Sequence, residues 1–180
     1  MTREIWTIGH STRKLDVFVG LLEEWSISQV ADVRRFPGSQ RHPQFNRDAL
    51  EDKLKRVHIG YRHLGPLGGR RHQRNLDSPN NGWRVEAFNA YADYMTSAEF
   101  QDGLAALVSI AETYRTALMC SEAVPWRCHR RLIADALIVA GWTVWDIMGP
   151  SQVAQHWLTE FARISEAGLT YPAEPLFPPD

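Results

Sequence analysis

Five short apolar runs, each breaking off into polar residues and divided from the next by helical periodicity, constrain the fold of this chain more than any other feature. They read "EIWTIGH" at 4–10, "SQVADVRRF" at 28–36, "HIGYRHL" at 58–64, "TALMC" at 116–120 and "WTVWDIM" at 142–148. A strand that is apolar along most of its length is covered on both faces, as in a parallel sheet between two helical layers. Between the runs, Leu15, Phe18, Val19, Leu22 and Trp25 recur at helical spacing. So do Leu50, Leu54 and Val57, and later Phe100, Leu104, Leu107, Val108 and Ala111. The expected fold is α/β: a single-domain, three-layer, Rossmann-like sandwich over residues 1–170 with a mostly parallel sheet of about five strands.

Local signals place the ends of these elements. Asn46 is expected to N-cap a helix, with Phe45 and Leu50 as its hydrophobic staple. Gly141 suits the residue just past a helix that begins in "RCHRR". Pro150 and Ser151 are expected to start a last helix carrying Val153, Trp157, Leu158, Phe161 and Ile164. The tail 171–180 holds four prolines in ten residues, which excludes regular structure. Residues 65–83 read as a long polar loop, and a loop of that length inside a compact domain is usually functional or mobile.

With 180 residues, 44% hydrophobic and 23% charged, the chain can bury a real core and is not a disordered polymer. No stretch approaches the roughly 18 apolar residues of a membrane helix. The first ten residues lack an export-signal pattern, and with only two cysteines the expectation is a cytoplasmic protein without a disulfide framework.

Charge is spread unevenly. The net charge is −1, yet nine arginines and two lysines against three acids make the segment Arg34 to Arg74 locally +8. Arginine outnumbers lysine 17 to 3, which favours planar, bidentate recognition of phosphate or carboxylate. The partners this implies are an anionic small molecule or nucleic acid, and no membrane.

In a parallel sheet, ligands bind beyond the carboxyl ends of the strands. Those ends carry His10 and Ser11, then Asp32, Arg34 and Arg35, then Gly68 and Gly69, then Cys120 and Glu122. Extending the apolar stripe of Leu132, Ile133, Ala136, Leu137 and Ala140 backwards lands on His129, directed toward the same rim as His10. Cys128 is expected in the first helical turn, where the dipole and nearby arginines favour a thiolate. Arg131 is placed to pair with Asp135 across the surface. Trp83 and Trp126 fall in loops, where an indole can stack on a base.

Several chemistries fit these residues. A thiolate at Cys120 or Cys128 can act as nucleophile, with His10 or His129 carrying the proton and Arg34 or Arg130 holding an anion. The spacing from Cys120 to Arg127 is one residue longer than the C-x5-R cradle of tyrosine phosphatases. A metal set from Cys120, Cys128, a histidine and Glu122 lacks a close C-x-x-C pair, so no metal is assigned. A reversible dithiol pair is a third option, and two small buried hydrophobes a fourth.

"TIGHS", "ADVRRFPGSQRHPQF", "YRHLGPLGG" and "LMCSEAVPWRCHR" follow one another in order. Together they resemble domain-of-unknown-function family 488, over about residues 5–150. The C-x-E-x5-C-H-R element falls on Cys120, Glu122, Cys128, His129 and Arg130. The resemblance implies a single α/β domain with a parallel sheet; it implies no substrate, cofactor or reaction.

The reading favoured by the residues is an enzyme acting on a nucleotide, nucleic acid or other phosphorylated or anionic substrate. Cys120, Cys128, His10, His129 and Glu122 would be its catalytic candidates. Ser11, Asp32, Arg34, Arg35, Gly68, Gly69 and Arg130 would bind the ligand. The alternatives are a non-catalytic anion or nucleic-acid binding module, and a metal- or redox-sensing protein built on the two cysteines.

Overall fold

The structure, a computed structural model, describes residues 3–71, 77–166 and 168–173. Its main sheet holds β1 (Glu4–Gly9), β2 (Gln29–Asp32), β3 (Gly60–His63), β4 (Thr116–Cys120), β5 (Thr143–Gly149) and β6 (Gln152–Gln155). The helices are α1 (Leu15–Glu24), α2 (Arg47–Arg56), α3 (Glu86–Tyr94), α4 (Ala98–Thr113) and α5 (Arg130–Val139). Strand order is β3-β2-β4-β1-β5-β6, and the five strands expected from sequence are mutually parallel.

Burial explains why the central strands β1 and β4 are apolar along most of their length. Trp6, Ile8, Val30, Ala117 and Met119 pack with Phe18, Leu22, Leu50 and Leu54 of α1 and α2 on one face. On the other face, Ile5, Ala31, Leu118 and Val144 pack with Tyr91, Phe100, Leu107, Leu132 and Leu137 of α3, α4 and α5. The period-2 alternation of side chains thus sorts one continuous apolar run into two separate cores. Three layers result.

The C-terminal expectation is overturned. Residues 150–166 contain no helix; β6 runs back antiparallel to β5, and β7 (Arg163–Ser165) pairs with β8 (Gly168–Thr170) as a hairpin. The periodic residues there do not share one buried face, since Trp157 is 73% and Ile164 59% exposed. Phe161 alone makes a close aromatic contact, edge-on to the Trp83 ring at 4.8 Å. Trp83 is itself 9% exposed and packed among Phe88, Phe161 and Tyr171, which removes it as a stacking platform. Trp126 remains exposed.

Two local expectations change in detail. Asn46 occupies the N-cap position of α2, but its side chain accepts from the Ser39 N–H at 2.6 Å and ties down the preceding loop. Its flanking staple residues, Phe45 and Leu50, are both fully buried. Asp135 points inward and accepts from the Thr159 N–H and the Tyr171 hydroxyl, while Arg131 donates to Thr159 Oγ1. The expected Arg131–Asp135 surface pair is therefore absent. Residues 174–180 of the proline-rich tail lie outside the described residues, as does Arg74. No helix among the described residues is long and apolar enough to cross a membrane.

Candidate functional site

The strand order reverses direction next to β1. The chain moves outward from β1 to β2 and β3, returns to place β4 between β2 and β1, then crosses to β5 on the far side. Beyond such a reversal the loops after adjacent strands part and leave a crevice. The loops after β1 and β4 form one side of it here, joined to each other by Ser11 N–H to Ser121 O at 2.8 Å, and the loop after β2 supplies residues on the other. A cavity of about 340 Å³ opens at this point.

Gly9 is what lets these loops close. A Cβ there would lie 1.7 Å from the Glu122 carbonyl oxygen, so only glycine permits the contact. Arg130 secures the same loop from beneath. It is 1% exposed and donates to Glu122 O at 2.6 Å, Ala123 O at 3.1 Å and Thr7 Oγ1 at 3.2 Å. Nε, Nη1 and Nη2 are thereby engaged by two backbone carbonyls and a threonine hydroxyl, and Arg130 is absent from the cavity lining.

Cys120, Cys128 and His129 form the cavity floor. His129 Nε2 stands 3.0 Å from the Val33 carbonyl, an acceptor only, so Nε2 carries the proton. Nδ1 therefore faces Cys120 Sγ at 3.7 Å and Cys128 Sγ at 3.8 Å. Gly69 lies flat against the ring; a Cβ there would be 2.8 Å from Nδ1 and would tilt it. Tyr91 meets the imidazole edge-on at 5.1 Å.

The two thiols differ electrostatically. A hydrogen bond from Cys128 holds Cys120 well below the ordinary thiol range against the opposing effect of burial, and His129 and Arg130 reinforce it. Burial pushes Cys128 well above that range, and the adjacent Cys120 charge adds to it. Cys128 was expected in the first turn of α5. It lies instead in extended backbone (φ −128°, ψ 141°), because Pro125–Arg127 form a separate 3-10 turn that ends there.

On the opposite wall, Asp32 is fully buried and organises Arg34 rather than touching a ligand. Arg34 gives Nε and Nη2 to its carboxylate at 2.9 and 2.6 Å, and Tyr61 donates to the same group at 2.6 Å. Burial works against the charge of Arg34, but Asp32 outweighs it and raises the guanidinium further. Nη1 is left toward His10 Nε2 at 3.4 Å. His10 donates from Nδ1 to Ser11 O at 2.9 Å and stacks on Phe45. Burial lowers it to about 4, so it is a neutral acceptor at Nε2.

Of the residues singled out from sequence, His10, Arg34, Arg35, Gly69, Cys120, Glu122, Cys128 and His129 line the cavity. Ser11, Asp32, Gly68 and Arg130 do not; they shape it from behind. Gly68 is pressed against Arg35, where a Cβ would fall 2.6 Å from its Cα. Arg70, which follows the glycines at the end of the third strand, and Arg127, beside the cysteines, were not among the binding candidates from sequence, yet both line it. Arg70 holds a left-handed backbone (φ 60°), and its carbonyl accepts from Arg35 Nη1 at 2.9 Å. An arginine following two glycines was the available signal.

Comparison with curated proteins and with solved structures finds no match. The family described as a domain of unknown function, DUF488, matches residues 14–137, from the residue before α1 nearly to the end of α5. That span contains every cavity residue except His10. The chain belongs to the DUF488 family.

Proposed function

We propose that this protein is an enzyme acting on a small anionic substrate, most simply a phosphorylated molecule of nucleotide size or less. One observation carries the reading: a single cavity places a Cys–Cys–His floor beneath four arginines, with Glu122 as the one acidic residue in the lining. Arg35, Arg70 and Arg127 stand exposed at the mouth, while Arg34 is fixed inside. This arrangement suits a substrate gripped at its anionic end with its reacting atom delivered to the floor. Phe36 and Phe88 add apolar wall on which a ring can rest. A volume of about 340 Å³ suits a small molecule better than a nucleic-acid strand, which asks for an extended groove.

The test is a thermal-shift panel of phosphorylated and carboxylated small molecules, with inorganic phosphate as the simplest probe, followed by product analysis on the hits. The expected result is stabilisation by a subset of phosphorylated compounds and turnover that Cys120→Ser removes. Arg35→Met with Arg127→Met is expected to weaken binding by at least tenfold at unchanged fold. Binding without turnover of any hit would make the chain a recognition module instead. Stabilisation indifferent to the arginine variants would overturn the cavity assignment.

A further inference from the structure

We propose that Cys120, Cys128 and His129 are a three-ligand site for a zinc-like divalent cation, with its fourth coordination position open to the arginine-lined cavity. This rests on the functional reading above and deepens it, because it assigns the chemistry of the floor.

The donor set is the first argument. Two cysteine sulfurs, which bind metal as thiolates, and one imidazole nitrogen are the ligands a borderline-soft cation prefers, and here the three atoms lie within 4.8 Å of one another. Their spacing is the second. In a tetrahedral site with Zn–S near 2.3 Å and Zn–N near 2.0–2.1 Å, a sulfur and a nitrogen ligand stand about 3.6 Å apart. The two sulfur–nitrogen separations found are 3.7 and 3.8 Å. Both sulfurs thus stand at a tetrahedral ligand spacing from the imidazole nitrogen, and all three atoms lie within 4.8 Å of one another.

Orientation is the third. A metal-binding imidazole characteristically donates its other N–H to a carbonyl or carboxylate, which aims the lone pair at the metal. His129 does this through Nε2 to Val33 O at 3.0 Å. Finally, all three residues line the cavity, so a cation bound there is reached by solvent and substrate. Three protein ligands and one free position are the arrangement of catalytic rather than structural zinc. An anionic group entering between the arginines would meet it. Sequence reading raised these residues with Glu122 as a metal option but assigned no metal, because the cysteines stand eight residues apart rather than in a C-x-x-C pair.

The experiment is a Co²⁺ titration of the full-length protein after reduction and chelation, followed by absorption spectroscopy. The expected result is one equivalent bound, with strong sulfur-to-cobalt charge-transfer bands in the near-ultraviolet and intense visible bands of tetrahedral cobalt, all displaced by Zn²⁺. Cys120→Ser and Cys128→Ser are each expected to diminish the charge-transfer intensity, and His129→Ala to alter the visible bands. The wild-type spectrum decides even where a variant fails to fold. No charge-transfer band while both thiols are shown to be free would overturn the proposal, as would bands that survive in both serine variants. A parallel titration of the metal-free protein with inorganic phosphate separates the two readings. Phosphate binding without cobalt binding leaves the anion cavity and removes the metal; cobalt binding with no affinity for any anion does the reverse.

Discussion

At the residue scale, the site depends on charges that never meet a ligand. Asp32 accepts from the Arg34 side chain, the Arg34 N–H and Tyr61, so its carboxylate holds the guanidinium in place by geometry. Removing one member of such a buried pair leaves the other uncompensated, at about 3–5 kcal/mol. Asp32→Asn should therefore lower stability in urea denaturation by that order and abolish anion binding; a loss below about 1 kcal/mol would contradict this role. Sequence reading placed Asp32 among ligand-binding residues because it falls at a strand end, and Arg130 because it follows the Cys–His pair at a helix start. Whether a charged side chain turns into the cavity or under it is decided by partners such as Tyr61 and the Glu122 carbonyl, and these are brought near only by folding. His10, Arg34 and Cys120 were legible because a parallel sheet sends the residues at all its strand ends to one rim.

At the scale of elements, the parallel core was legible and the C-terminal part was not. Runs such as "TALMC" are buried at every position, so composition and period point the same way. Residues 152–155 are exposed or half-buried and pair by backbone along the edge formed by β5, a bond pattern that leaves little hydrophobic signature. Apolar residues at 153, 157, 158, 161 and 164 mimicked a helical stripe by spacing alone. The connection between β4 and α5 is the element on which the site rests, and its close approach to the end of β1 requires glycine at position 9. Gly9→Ala is expected to cost at least the 1–3 kcal/mol typical of overpacking, since the intruding Cβ meets backbone rather than a movable side chain. A melting temperature within a degree of the wild type would show that the loop is not held as described.

Across the whole molecule, two histidines set opposite limbs of the pH–stability profile. His156 lies 2.7 Å from Asp146 and 3.7 Å from Asp135; burial opposes its charge, but the two carboxylates raise it to about 9. Its contribution is complete below the unfolded value of 6.5 and is lost as pH rises through 9. His10, depressed to about 4 chiefly by burial, contributes above 6.5 and loses its effect as pH falls toward 4. Each shift corresponds to an order of 3 kcal/mol, so each limb is read as the difference between wild type and the matching histidine variant. Chemical denaturation from pH 4 to 9 is expected to show the alkaline decline flattened in His156→Gln and the acid decline flattened in His10→Gln. Parallel curves for wild type and both variants would remove this account.

The central claim is that the reactive thiol and the arginines share one cavity, and a single comparison tests it. Chelated, reduced protein is treated with iodoacetate or with iodoacetamide, and the alkylation rate at Cys120 is read by mass spectrometry. An unshielded thiolate prefers the neutral amide. A thiolate beneath Arg34, Arg35, Arg70 and Arg127 should prefer the anionic acid, and that preference should fade at high salt as the arginine charges at the mouth are screened. Faster reaction with iodoacetamide, or a Cys120 inert to both reagents, would contradict the account.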